Sequence, residues 1–189
     1  RHLAYARYVL LHKGFVLVEG LKLGVPIWRL LLHDWDKFVP WRWMAYANYF
    51  YAENGEPRTR RDKTGYYRPD ETGSDEFDRA VGLHCRRNLH HWQAWVLPAD
   101  NGDLTEKVFE IPDVYVREMV ADLNGAGRAQ GVNSPAVEWY KKNGMKLKLR
   151  VCMELLLHVL ERLLIIISRL IQGPEHRRPN SHDKHNQGY

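Results

Sequence analysis

Apolar residues recur at helical spacing from the beginning of the chain. Leu3, Tyr8, Leu11, Phe15, Val18 and Leu21 mark one face of a helix over 3–23. Gly24 and Pro26 end it. A short helix over 27–38 follows and carries His33, Asp34 and Lys37. Pro40 suits the first turn of a third helix, over about 40–53, where its missing N–H leaves no partner unpaired. The pattern resumes at Phe77 and predicts a helix to about Val96. Pro98 and the run Asp100-Asn101-Gly102-Asp103 make a turn. Pro112 and Asp113 open a helix over about 113–123, and Asn124, Gly125 and Gly127 break it. A further short helix over 135–143 stops at Gly144.

Two stretches fall outside this rhythm. Residues 53–76 hold few aliphatics, three Gly and two Pro, so they form a long polar loop. Its Arg58, Arg60, Arg61 and Lys63 are close in sequence to Tyr66 and Tyr67, and it is either a solvated connection or a lid. The stretch of about 146–171 is strongly apolar, with Arg150, Glu154, His158 and Arg162 in one narrow stripe. It is long enough to cross a bilayer, but its interior charges argue against that. It reads as a core helix or as the contact of a homodimer, burying Leu156, Leu160, Leu163 and Ile167. The tail over 173–189 is polar and too poor in apolar surface to fold. No repeat and no convincing strand pair is visible. The expectation is an all-α helical bundle: one domain over 1–172, a mobile loop at about 53–76 and a flexible tail.

Composition narrows the class. With 189 residues and 44% hydrophobic content the chain can bury a core without covalent staples. Two cysteines, Cys85 and Cys152, make neither a disulfide framework nor a Cys-rich zinc site. That points to a reducing, cytoplasmic compartment, and Arg1 in first position suggests a native start upstream. The net charge of +5 favours an anionic partner. The basic residues are scattered and form no recognised nucleic-acid module, so nucleic acid is not the expected partner.

The unusual counts are seven Trp and ten His. Most of the Trp lies within 28–43 and 92–95, each stretch beside a histidine group. Three segments and one single residue carry the chemistry: His33-Asp34 with Lys37, His84-x3-Asn88-x-His90-His91-Trp92, Glu118-x3-Asp122, and His12. Adjacent His and Asp on a helix diverge by about 100°, so they reach one ion together only where a helix end points at it. His84, Asn88 and His91 share one helical face, and His90 is rotated off it. Glu118 and Asp122 also share a face. Each piece alone has a plain reading as a satisfied core histidine or a solvated face. Together they interrupt apolar helices, and burying so many polar groups without a partner costs several kcal/mol each, so a bound cation is an economical compensation. Imidazole with carboxylate suits Mn, Fe, Co, Ni or Zn better than Mg, and Mg stays within range.

The order His…His-Asp…His…His…Asp resembles the HD superfamily of metal-dependent phosphohydrolases. The resemblance implies that His12, His33, Asp34 and Asp122 bind a divalent metal. In two-metal members added histidines serve a second ion, and His84, His90 or His91 stand where these would be. His33-Asp34-Trp35-Asp36-Lys37 is similar to the frequent HD-x-G-K form and departs from it at Asp36. A closer resemblance is to a phage and bacterial family of unknown function, patterned as His-Lys in the first helix, HD-x-x-KF, N-x-HHW and EM-x-x-D. This chain has His12-Lys13, HDWDKF at 33–38, NLHHW at 88–92 and EMVAD at 118–122, so the likeness spans about residues 8–145.

The HD likeness implies hydrolysis of a phosphate ester, a nucleotide or a related compound, in a bacterial or phage-infected cell. Lys37 would neutralise phosphate charge, and Glu118 would orient a ligand or accept a proton from water. His84 and His91 would be second-metal ligands or phosphate contacts, with His90 and Asn88 as additional ligands or supports. Arg86, Arg87, Trp35 and Trp92 would meet the substrate. Two other classes stay open: a nucleotide-binding or structural protein without turnover, and an HD-like diiron oxygenase.

Overall fold

The computed structural model describes residues 1–60, 72–99, 106–131 and 136–147. Within them the chain is an all-α bundle of six α-helices with one small two-stranded ladder. Of the apolar stretch of about 146–171 only residues 146 and 147 are described; the rest of it, the tail and the middle of the 53–76 loop lie outside the described residues. Among the described residues no helix is long and apolar enough to cross a membrane.

Helix α1 (His2–Lys22) and helix α5 (Asp113–Ala129) lie side by side in opposite directions. Arg117 donates to the carbonyls of Leu23 and Gly24, while Gly125, further along α5, meets Val16. The expected break at Asn124, Gly125 and Gly127 does not occur, and α5 runs on to Ala129. Gly125 serves the helix crossing instead. A β-carbon there would stand 2.5 Å from Val16 Cγ2 and 2.9 Å from the Val16 nitrogen. Asn124 accepts a hydrogen bond from the Ala136 N–H at 2.6 Å and so ties α5 to α6 (Ala136–Asn143).

The expected helix over 27–38 is in fact two pieces. Helix α2 is Ile27–Leu32, and a 3-10 turn covers Trp35–Phe38. Asp34 sits between them with φ 54°, in the left-handed region that Asp tolerates better than most residues. Lys13 donates to the carbonyls of Leu31 and His33, which satisfies the C-terminal end of α2. Helix α3 (Pro40–Phe50) begins at its proline as expected.

Helix α4 (Asp75–Arg87) starts earlier than Phe77 because Ser74 caps it, accepting from the Phe77 N–H. It ends at Arg87, well before Val96. Asn88 turns out of the helix, and its side-chain amide donates to the His84 carbonyl at 2.9 Å. Beyond a 3-10 turn at Trp92–Trp95, strand β1 (Val96–Pro98) pairs antiparallel with β2 (Glu106–Val108).

The core has two main apolar regions. Tyr5 and Val9 of α1 pack with Tyr46 and Tyr49 of α3 and with Phe77 and Val81 of α4. Tyr49 and Phe77 stack at 3.8 Å between centroids. Val16 and Leu23 pack with Leu30, Val120 and Ala121. His12 lies on α1 between Val9 and Val16, so the polar groups collect where these two regions meet.

Candidate metal centre

The left-handed turn at Asp34 resolves the divergence of adjacent side chains. It breaks helical phase between the two residues, and both are buried in the interior. Asp34 Oδ2 lies 3.4 Å from His12 Nε2 and 3.5 Å from His33 Nε2. Asp122 Oδ1 faces the same two nitrogens at 3.2 and 3.4 Å. The other carboxylate oxygen, Asp34 Oδ1, lies 3.4 Å from His84 Nε2 and 3.3 Å from His90 Nε2. His91 Nε2 is 2.9 Å from His84 Nε2. Two groups of four therefore share Asp34: His12, His33, Asp34 and Asp122 on one side, and Asp34, His84, His90 and His91 on the other. In each group the ligand atoms all lie within 4.8 Å of one another.

These contacts fit an ion better than they fit hydrogen bonds. His12 Nε2, His33 Nε2, His90 Nε2 and Asp34 Oδ1 are buried and have no hydrogen-bond partner among the described residues. Native proteins seldom leave such atoms unmatched. Four donors around one tetrahedral ion, with bonds of about 2.0–2.2 Å, stand about 3.4 Å apart. The buried His and Asp groups can hold a metal ion.

The far sides of the rings are held by carboxylates. Glu118 Oε1 faces His33 Nδ1 at 3.1 Å and His90 Nδ1 at 3.4 Å, so one oxygen orients a ring from each group. Glu118 Oε2 takes Arg29 at 2.6 Å. His84 Nδ1 bonds Asp36 at 3.0 Å, and Asp36 also accepts from Arg42 and from Asn88. A carboxylate behind a ligand imidazole fixes its tautomer and raises its basicity.

Charge follows from this wiring. Burial favours neutral His33, but the Asp34 charge, the Asp122 carboxylate beside Nε2 and the Glu118 carboxylate at Nδ1 outweigh it and raise the imidazole to about 9. Burial also works against ionised Asp34 and Asp122. Cationic His33 and Lys37 hold Asp34 well below the usual carboxylate range, and the imidazoles of His12 and His33 beside it do the same for Asp122. His84 is pushed down by burial, and His91 well down by burial and by His90 and His84 beside it. Those two rings are neutral and ligand-ready at ordinary pH. Lys37 donates to Asp34 Oδ2 at 2.5 Å and is held charged mainly by Asp34, against the pull of burial.

Not every residue named from the sequence joins this cluster. His90 does, although helical phase placed it off the face. The helix ends at Arg87, so phase no longer governs residues 88–91. Asn88 supports Asp36 and the end of α4. Arg86 and Arg87 are exposed on the last turn of α4, and the Arg87 guanidinium lies 4.8 Å over the exposed Trp35 ring. Trp92 packs against the cluster of Ile111, Val116, Met119 and Val137. Sequence reasoning missed Asp36, Arg29 and Arg42. In the sequence Asp36 stands out only as a departure from glycine, and its signal is a second acid two residues beyond Asp34, inside the same segment.

A family model of unknown function, DUF5662, matches residues 1–165, and the chain belongs to that family. No curated protein and no solved structure matches the chain.

Proposed function

We propose that the chain is a metal-dependent phosphohydrolase of the HD type, with two divalent ions held on the two sides of Asp34. The observation that carries this reading is the division of one carboxylate between two groups: Oδ2 faces His12 and His33, and Oδ1 faces His84 and His90. The order of the same residues along the chain resembles the HD superfamily and supports it. Ions bound there supply a water of lowered pKa and a clamp for phosphate oxygens.

The remaining roles belong to the chain. Glu118 positions His33 and His90, and its other oxygen is engaged by Arg29, so it works as an orienting residue more than as a base. Asp36 does the same for His84. Lys37 brings a positive charge to the edge of Asp34, where it meets the charge of an arriving phosphate. Arg87, stacked on Trp35 one residue from Asp34 in the chain, offers a cation and a ring at the surface. The expected substrate is a small phosphate ester, with nucleotides first.

The test has two stages. Elemental analysis of protein purified without added metal gives the ion and its number. A panel of phosphate mono- and diesters is then assayed with Mn, Co, Ni and Mg. Phosphate release that disappears in Asp34→Asn supports the reading. No release from any ester overturns it. Iron in the purified protein together with oxygen consumption favours the oxygenase class, and nucleotide binding without turnover favours a binding protein.

A further inference from the structure

A cavity of about 250 Å³ opens beside Tyr8, whose ring stacks on that of the candidate ligand His12. Tyr8, Phe50, Tyr51, Arg58, Arg60 and Gln130 line it. Its lining draws on α1, on the end of α3 and on the residue that follows α5. On α1 it lies one turn before His12, and the rings of Tyr8 and His12 stack at 6.0 Å. On α3 it lies one turn beyond Tyr46, whose ring is 6.2 Å from His84. On α5 it lies two turns beyond Asp122. One helical turn is about 5.4 Å, so the cavity begins a short step from the place where a phosphate meets the ligands.

Its outer wall is fixed by backbone. Tyr51 and Pro57 form an antiparallel bridge, and the Arg58 N–H donates to the Phe50 carbonyl at 2.8 Å. This return lays residues 57–60 against the end of α3. Arg60 donates to the Tyr49 carbonyl at 3.2 Å and lies 4.8 Å over the Tyr49 ring. The lining thus combines three aromatic rings with two guanidinium groups. Aromatic faces and guanidinium planes both stack on nucleobases, and the cations also favour an anionic ligand. The volume lies just under the range of about 300–1,000 Å³ for drug-sized ligands, which suits one nucleoside and not a longer chain.

We infer that this cavity holds the base of a nucleoside monophosphate whose phosphate sits at the metal centre. The inference rests on the phosphohydrolase reading for where the phosphate lies, and it adds the part of the substrate that is recognised.

The test separates the two. Isothermal titration of the manganese-loaded full chain uses non-hydrolysable phosphonate analogues of AMP, GMP, CMP and UMP, and of ribose 5-phosphate. At least one nucleotide analogue should bind about tenfold or more tighter than the ribose analogue. Tyr51→Ala and Arg58→Ala should each remove most of that difference, and Tyr51→Phe should keep it. Equal affinity for nucleotide and ribose analogues, or variants that bind as the parent does, overturns the inference. Should Tyr51→Ala lose its metal and its fold, the exposed Arg58→Ala decides. Phosphate release from the four nucleoside monophosphates and the ester panel is scored apart. Base-dependent binding without release sinks the hydrolase and leaves the cavity; release without base preference sinks the cavity alone.

Discussion

Asp36 accepts a hydrogen bond from His84 Nδ1 at 3.0 Å, with both groups buried. The contact joins the turn after Asp34 to the last turn of α4 and aims His84 Nε2 at Asp34 Oδ1, 3.4 Å away. It also gives the site a measurable asymmetry. Asp36 supports only the group containing His84, His90 and His91.

Asp36→Asn should therefore weaken one ion and spare the other. Loss of an outer carboxylate costs about 10–100-fold in metal affinity. Arg42, which pairs with Asp36, keeps a neutral oxygen acceptor in this variant, so the fold should survive. Metal titration followed by elemental analysis should show two tight ions in the parent and one in this variant. Asp36→Ala is harsher, because it leaves Arg42 buried without its partner; a stability loss of about 3–5 kcal/mol is expected in urea melts. Unchanged stoichiometry in Asp36→Asn would mean that His84 is oriented by something else.

Gly125→Ala tests the crossing of α1 and α5. The added methyl meets Val16 at 2.5 Å and its backbone at 2.9 Å, and the backbone cannot step aside as a side chain can. The helices must separate, at a cost of about 1–3 kcal/mol. His12 and Asp122 come from these same two helices, so metal affinity should fall along with the urea midpoint. Val16→Ala in the same chain removes one of the two contacts and should restore only part of the loss.

Much of this fold was legible because it rests on apolar spacing. The starts of α1, α3 and α5 agree with their expected starts to within a residue. What was not legible depends on single tertiary contacts. Gly125 looks like a breaker until Val16 is beside it. His33-Asp34 looks like mid-helix until the left-handed Asp34 is seen. His90 was ranked below His91 by a helical phase that stops at Arg87. Strands of three residues each are too short to leave an alternating pattern. At the site the candidate ligands could be named from spacing and resemblance. The carboxylates and cations behind them could not, because an Asp, an Arg or a Glu in a polar segment carries no mark of burial.

Metal affinity should rise with pH. In the metal-free chain Asp34, Asp122 and Glu118 raise His33 to about 9, so its imidazole is protonated at neutral pH. An ion needs the same Nε2 as a lone-pair donor, and binding must expel that proton. Each proton expelled gives about a tenfold gain in affinity per pH unit, and this slope should flatten as pH passes about 9. His84 and His91, held below their ordinary value, add no such slope at neutral pH. Chelator competition at several pH values gives the slope, and proton release in weakly buffered solution gives the count. A flat profile between neutral pH and about 9 would mean that no proton leaves His33 when the ion binds.

The sharpest prediction concerns number. If Asp34 serves two ions, its loss cannot be a half loss. Asp34 Oδ2 faces the His12 and His33 nitrogens, and Oδ1 faces those of His84 and His90. Asp122 touches only the first pair, and His91 belongs only to the second group. Asp34→Asn should then drop the metal content from two ions to none at chelator strengths the parent withstands. Asp122→Asn and His91→Ala should each leave one. The two single losses also differ in kind. Asp122→Asn leaves a neutral side chain against His12 and His33, which removes part of what raises both imidazoles without metal. His91→Ala removes a ring that stands 2.9 Å from His84 Nε2 and leaves the groups around His12 and His33 in place. Parallel elemental analysis of the three variants, with circular dichroism to confirm that each is folded, separates a shared bridge from two independent sites. Two independent sites would leave one ion in Asp34→Asn, and so would a single-ion centre fed by all eight ligand atoms fail to give two in the parent.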